Sequence, residues 1–347
     1  MKLNDKSPNK PKPKIEEVAK AAGVSIMSVS RAMRGVEGIS QKKREQILKI
    51  ARRIGYYPNN VAVSLAASSS NLVGVSVPTL FGTVFSEIYD GMRSTLEKSG
   101  FATIIDVSDY SITHEEAWVE RMISWQPAGL VLTGVDHSQR TRDALRRAKI
   151  PVLEIWDYTE DPIDLCVGIN HVQAGSQMGK HLTELGYQNP AYVGVQSGKD
   201  LRADRRLKGL EVSFSDSGKQ FCAKDRKATV ATFESGFQAT ARLFESGNKV
   251  PDVICYLHDN MAFGGLMYCE QNGISCPEQI GIVGYNGLAI NEVLAKRITT
   301  AITPRYEMGQ DSASLLIARI LGAQTKKTIS HQVIIEQGQT TRSQIAR

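Results

Sequence analysis

The chain has 347 residues, of which 41% are hydrophobic and 22% charged, with a net charge of +6. That length allows two to three domains with a sizeable core, and the composition is that of a soluble globular protein rather than a fibrous or disordered one. No apolar run nears the roughly 18–20 residues needed to span a bilayer.

The opening stretch "MKLNDKSPNKPKPK" lacks the apolar segment of a secretory signal, and the five cysteines (Cys166, Cys222, Cys255, Cys269, Cys276) form no CxxC pair. The expectation is a cytoplasmic protein with reduced thiols, no metal and no membrane partner. The charge is uneven: residues 1–70 carry 14 Lys/Arg against 5 Asp/Glu, a balance of +9, while the remainder stands at −3. A compact basic head favours a polyanionic partner, nucleic acid first. For residues 1–14 alone, where Pro8, Pro11 and Pro13 interrupt a run of lysines, a flexible basic arm is the competing reading.

From Ile15 the pattern turns helical. Ile15, Val18, Ala19 and Ala22 share one face and Gly23 predicts the helix end. Ser25 predicts the cap of a second helix running from Ile26 to about Met33, stopped by Gly35 and Gly38. Ser40 predicts the cap of a third, with Ile47, Ile50, Ala51 and Ile54 as its apolar stripe and Gly55 as its end. "GYYPNN" and "VAVSLAAS" follow, the latter capable of a short helix, and then a polar linker "SSSN".

Beyond Leu72 strand-like and helix-like stretches alternate. Strands are predicted over 72–78, 102–108, 129–134, 150–157, 165–170, 190–196, 253–257 and 280–286. Helices are predicted over 84–99, 114–125, 138–148, 173–186, 203–217, 234–246, 259–272 and 305–322. Such alternation predicts a doubly wound parallel α/β body, and the series is too long for one modest sheet, so two lobes are expected.

Two short helices joined by a glycine turn and braced by a third form a helix-turn-helix, whose second helix enters the DNA major groove. Ala19, Ala22 and Val24 let the helices approach, and Val29 and Met33 bury the second one. Ser25, Met27, Ser28 and Arg31 are left facing outward, where serines reach phosphates or bases and arginine reaches guanine or phosphate. Ile26 and Met27 suit contact with thymine methyls; membership of the small core is the alternative.

"EEVAKAAGVSIMSVSRAMRG" (16–35), followed by "ISQKKREQILKIARRIGYYPNNVAVSLA" (39–66), resembles the DNA-binding head of the lac/gal repressor (LacI/GalR) family. "LHDNMAFG" (257–264) and "IVGYNG" (282–287) extend the resemblance over nearly the whole chain from residue 15. It implies a flexible arm at 1–14, a helix-turn-helix at 15–57, a hinge helix and linker at 58–71, and a bilobed, periplasmic-binding-protein-like body at 72–347 that binds effector and dimerises. Two subunits would read pseudo-palindromic double-stranded operator DNA. Tyr57, Asn59 and Asn60 would lie along the DNA, and Leu65 would be the apolar wedge in the minor groove. Ordinary packing in a linker helix is the alternative for Leu65. No leucine-heptad pattern follows residue 322, which favours a homodimer over a tetramer.

In parallel α/β sheets a ligand sits at the carboxyl ends of the strands. Those ends carry Thr79, Phe81, Thr83, Thr133, Trp156, Asp157, Asn170, Arg202, Arg205, Arg206, His258, Asp259, Tyr285 and Asn286. The resemblance makes Arg206 the arginine that grips the effector; Asp259 reads as a cap of the helix that follows. A solvated helix start is the alternative for the three arginines. His258 stands where the family usually has Asn, and Asn286 where Asp is more common, so the pocket is less acidic than that of a neutral-sugar binder.

An arginine facing few carboxylates suggests an anionic ligand. "FSEIYDGM", "RMISWQPAGLVLTG", "TRDALRRAKIPVLEIWD" and "AITPRYEMG" most resemble the gluconate branch of the family. That implies gluconate or a related aldonate or ketoaldonate, free or phosphorylated, and a repressor of sugar-acid catabolic genes. The alternatives are a regulator sensing a neutral sugar and a cytoplasmic sugar-binding or sugar-modifying protein. No GxSxG, P-loop, HExxH or GxGxxG motif occurs, so no catalytic residue and no cofactor is expected.

Overall fold

The computed structural model describes residues 13–35, 37–57, 70–80, 82–245 and 250–343. The predicted arm up to residue 12, most of the predicted hinge (58–69, with Asn59, Asn60 and Leu65) and Phe81 lie outside the described residues. The chain divides into two compact units between Ser70 and Asn71.

The first unit holds three helices: α1 (Ile15–Ala22), α2 (Ile26–Arg34) and α3 (Gln41–Ile54). Gly23 turns left-handed at φ 63° and donates its N–H to the carbonyls of Ala19 and Lys20, which lets the chain reverse between α1 and α2 within three residues. Ser25 Oγ accepts the N–H of Ser28 at 3.1 Å and so starts α2. Ser40 takes the cap position of α3, but its hydroxyl makes no capping bond, so α3 begins on backbone geometry alone. Val18, Ala19, Val29, Ala32, Ile47 and Ala51 are buried together at the centre of the three helices. Alanines at the helix contacts leave room for the backbones to approach.

The second unit is a two-lobed α/β body. The first lobe is built on β1 (Leu72–Val77), β2 (Ala102–Val107), β3 (Gly129–Thr133), β4 (Val152–Asp157), β5 (Leu165–Ile169) and β11 (Thr328–His331), in the order β2-β1-β3-β4-β5-β11, all parallel. The second uses β6 (Pro190–Val195), β7 (Ala223–Ala228), β8 (Val253–Tyr256), β9 (Gly281–Asn286), β10 (Thr299–Ile302) and β12 (Ile334–Glu336), in the order β7-β6-β8-β9-β10-β12; β12 alone is antiparallel. Both sheets reverse strand order beside their first strand, which opens a crevice at the carboxyl ends.

The helices are α4 (Val84–Lys98), α5 (Ile112–Ser124), α6 (Gln139–Ala148), α7 (His171–Glu184), α8 (Leu201–Asp216), α9 (Phe233–Glu245), α10 (Asp259–Gln271) and α11 (Arg305–Ile320). Because α7 packs on α8 and α11 packs on α4, the chain passes between lobes after β5, after β10 and again between β11 and β12.

Three helix pairs cross on reciprocal glycines. A Cβ on Gly175 of α7 would lie 2.0 Å from the Arg206 carbonyl oxygen, and one on Gly209 of α8 would lie 1.9 Å from that of Val172. Gly91 and Gly309 serve the α4–α11 crossing in the same way, and Gly236 and Gly264 the α9–α10 crossing.

The strands and helices predicted beyond Leu72 all appear, but among the described residues four strands escaped prediction: β7, β10, β11 and β12. β7 reads Ala-Lys-Asp-Arg-Lys-Ala and has none of the apolar pattern of a strand covered on both faces. It is held at the sheet edge by pairing with β6 and by Asp225, which accepts from Arg242 at 2.7 and 2.9 Å.

Candidate functional site

In the head, the outward face of α2 is where the residues suggested. Ile26 is 47% and Met27 62% exposed, and neither belongs to the buried helix core. Arg31 is exposed, Ser28 half-buried and Tyr57 exposed beyond α3. Ser25 is partly committed, its hydroxyl holding the N–H and the hydroxyl of Ser28.

In the body, a cleft of about 560 Å³ lies at the carboxyl ends of both sheets. Six of the expected residues line it: Thr79 after β1, Trp156 in β4, Arg202 and Arg206 in α8, His258 before α10 and Asn286 in β9. Phe85, Asp109, Tyr110, Lys199, Asp200, Val230 and Leu257 line it as well. All but Leu257, which ends a predicted strand, come from helices and loops whose paths no strand-end rule locates.

Other expected residues do different work. Thr133 donates its hydroxyl to Ser76 O at 2.9 Å and lines a smaller polar chamber of about 110 Å³, which shares Tyr110, Lys199 and Arg202 with the cleft. Thr83 is an exposed residue at the start of α4 and is not among the lining residues. Asn170 is exposed and caps α7, accepting the Gln173 N–H at 3.0 Å. Asp157 is buried, does not line the cleft, and pairs with Arg205.

Asp259 does not cap α10 as expected. It is the first residue of that helix, and its carboxylate accepts from Thr300 Oγ1 at 2.7 Å and Leu288 N at 2.8 Å, tying the helix to β10 and to the loop that follows β9. Burial pushes its carboxyl up to about 6.

Arg206 is the centre of the cleft's electrostatics. Its guanidinium lies 4.2 Å from the Tyr285 ring centre and donates to His171 Nδ1 and Leu257 O, each at 3.3 Å. His171 Nε2 in turn contacts the Trp156 carbonyl at 3.1 Å, so the ring carries its proton on Nε2 and accepts at Nδ1. Burial, reinforced by the charges of Arg206 and Arg202, holds His171 well below the usual imidazole range, which suits this neutral form. No carboxylate among the described residues forms an ion pair with Arg206.

Asp200 caps α8, accepting the N–H groups of Arg202 and Ala203 as well as Arg202 Nε at 3.1 Å. Burial works against its charge, but Arg202 and Arg206 outweigh it and hold the carboxyl at about 2. Arg202 also lies 5.4 Å from the Tyr110 ring centre.

Within the same lobe, burial and the nearby Arg206 lower His258 to about 4, so it is neutral at physiological pH. His258 Nδ1 and Asn286 Oδ1 are buried and have no hydrogen-bond partner among the described residues. Two arginines, with Asp200 bound to Arg202, therefore stand beside neutral polar groups that have unused hydrogen-bonding capacity, an arrangement that receives an anion with hydroxyls. Cys255 offers no nucleophile beside it: burial pushes its thiol far above the usual range while His258 sits low. Among the described residues no group of His, Cys, Asp or Glu could hold a metal ion, and no helix is long and apolar enough to cross a membrane.

Residues 14–59 match the family of bacterial regulatory proteins, lacI family, and residues 70–343 match the periplasmic binding proteins and sugar binding domain of the LacI family. The chain is 30% identical over 314 residues to the HTH-type transcriptional regulator GntR of Escherichia coli (strain K12), covering 90% of this chain and 93% of that protein. It is 28% identical over 307 residues to the regulator IdnR of the same strain, covering 88% and 91%. A crystal structure of a LacI-family transcriptional regulator from Silicibacter pomeroyi superposes with a TM-score of 0.88 at 32% identity, over 95% of this chain and 100% of that one. The chain belongs to the LacI family and is a DNA-binding transcription regulator, with a helix-turn-helix head and a two-lobed α/β body.

Proposed function

We propose that this regulator represses sugar-acid catabolic genes of the gluconate type in the cytoplasm and is controlled by a sugar acid bound in the cleft. The observation that carries this reading is Arg206: a buried cation on the cleft wall whose hydrogen bonds go to neutral groups and which forms no ion pair among the described residues, the nearby Asp200 being bound to Arg202. A bound carboxylate would supply the missing partner, and the unpartnered Asn286 Oδ1 would accept a hydroxyl of the same ligand. The similarity to GntR and IdnR points the same way. The test is a thermal-shift panel on the full chain. Gluconate, related aldonates and ketoaldonates should raise the melting temperature, whereas stabilisation by neutral sugars or purines alone would overturn the reading.

The protein would act as a homodimer, each head reading one half-site of a pseudo-palindrome through Ser25, Ile26, Met27, Ser28, Arg31 and Tyr57. Residues 58–71 would form the hinge, with Asn59 and Asn60 against the backbone and Leu65 as wedge. Phosphate contacts would provide much of the affinity and make it steeply salt-dependent. Effector would act only through its different affinities for two lobe arrangements, which in turn favour or disfavour the operator-bound state. Leu65→Ala should weaken specific binding far more than non-specific binding; a uniform loss would remove the wedge role.

A further inference from the structure

Trp156 and Arg206 line the cleft from opposite lobes, and each has a charged neighbour in sequence that does not. Those neighbours, Asp157 in β4 and Arg205 in α8, pair with each other across the lobe boundary. Arg205 is forked: its Nη1 donates to Asp157 and its Nη2 donates at 2.6 Å to Asp136, in the loop between β3 and α6. Asp157 is almost wholly buried and also accepts the Tyr158 N–H at 3.0 Å, so its charge depends on Arg205 for compensation. Asp136 is half-exposed, and its loop is anchored from below, where His137 Nδ1 meets Glu115 at 2.7 Å and Nε2 meets Gly134 O at 3.1 Å.

One guanidinium thus joins two strand ends of the first lobe to the helix that carries Arg206. An arginine holds two carboxylates in fixed planar geometry, which a lysine does not do. We infer that Arg205, Asp157 and Asp136 form a cross-lobe clamp that sets the separation of the cleft walls, making Arg205 a positioning residue for effector binding. The inference rests on the reading of the cleft as the effector site for its binding consequence, but not for its geometric one.

Weakening the clamp should lower the fraction of the protein whose walls are correctly spaced, and apparent affinity falls by that fraction. Asp136→Asn is the mildest probe because Asp136 is partly solvated, and Arg205→Lys keeps the charge but loses the fork. In full-length protein each should raise the gluconate Kd about fivefold, measured by calorimetry, with the melting temperature unchanged for Asp136→Asn. Asp136→Glu should restore the affinity, and the Asp136→Asn/Arg205→Lys double variant should be no worse than Arg205→Lys alone.

Lobe separation is read independently through Trp156 by acrylamide quenching without ligand. A Trp125→Phe background removes the exposed tryptophan, leaving Trp118 and Trp156, both buried. Quenching should increase when the clamp is weakened. Parent-like quenching in both variants overturns the clamp whatever the ligand does. If gluconate fails to bind the parent, the effector reading falls, and increased quenching still supports the clamp.

Discussion

The guanidinium of Arg206 lies 4.2 Å from the centre of the Tyr285 ring, and its hydrogen-bond partners are a neutral imidazole nitrogen and a backbone carbonyl. Stacking and two neutral acceptors keep the cation in the cleft wall without cancelling its charge. A ligand carboxylate would therefore meet a preorganised, partly desolvated cation.

Arg206→Ala should leave operator affinity intact and abolish the effector response. Losing one partner of a buried charge pair costs about 2–5 kcal/mol, or roughly thirtyfold or more in Kd. Fluorescence anisotropy on an operator duplex, with and without gluconate, separates the two effects. Equal loss of operator and effector binding would mean that the substitution has damaged the fold.

Gly209 lets α7 and α8 touch, and α8 carries Arg202 and Arg206. A Cβ there would stand 1.9 Å from the Val172 carbonyl oxygen, in backbone that cannot swing aside. Gly209→Ala should destabilise the body by about 1–3 kcal/mol or more, as overpacking does, and lower effector affinity as α8 shifts. Gly218→Ala is the control, since nothing lies within 4 Å of its Cβ position; there only the left-handed φ of 70° costs anything, about 1 kcal/mol. Equal melting temperatures for the two variants would refute the close-contact argument.

His137 predicts a pH dependence. Burial alone would strip its proton, but the Glu115 hydrogen bond and the charges of Glu115 and Glu154 outweigh it and raise its pKa. A raised value in the fold means that the native state binds the proton more tightly. The stabilisation is complete below the unfolded pKa of about 6.5 and is lost as pH rises through the folded value. His258 has the opposite sign: lowered to about 4, it contributes stability above about pH 6.5 that is lost as pH falls toward 4. In His137→Gln the fall in melting temperature between about pH 6 and about pH 8 should shrink; an unchanged fall would exclude His137 as its source.

The two faces of α2 should separate cleanly. Val29 is fully buried, so Val29→Ala should destabilise the head by about 1–2 kcal/mol. Met27 is mostly exposed, so Met27→Ala should change stability by less than about 0.5 kcal/mol, yet alter the preferred operator. Arg31→Ala should weaken binding to all sequences and lower the salt slope by about one if the arginine holds a phosphate. If it reads a guanine, the loss should be confined to operators with that base. Selections from a randomised half-site, paired with melting curves, decide both points.

Much of the architecture was legible because local pattern and burial coincide. Central strands such as Leu72–Val77 and Gly281–Asn286 are covered on both faces and read as apolar runs, and Gly23 and Ser25 announce the turn between the first two helices by their own chemistry. Edge strands were not legible: Ala223–Ala228 is a strand because β6 pairs with it and Arg242 holds Asp225, neither of which shows in six charged and small residues.

The site divided along the same line. That Trp156, Arg202, Arg206, His258 and Asn286 lie at strand ends or helix starts follows from the alternation of strands and helices in the chain. Which of their neighbours share the cleft was decided by the tertiary structure alone. Asp157 is turned from ligand candidate to clamp by an arginine 48 positions away, and Asn170 is spent on capping α7. Tyr110, Lys199 and Asp200 enter the cleft through the paths of two loops. Sequence alone determined the elements, because periodicity and capping act over a few residues. The partners of each charged side chain were decided only in the fold, because burial and ion pairing depend on which distant segments meet.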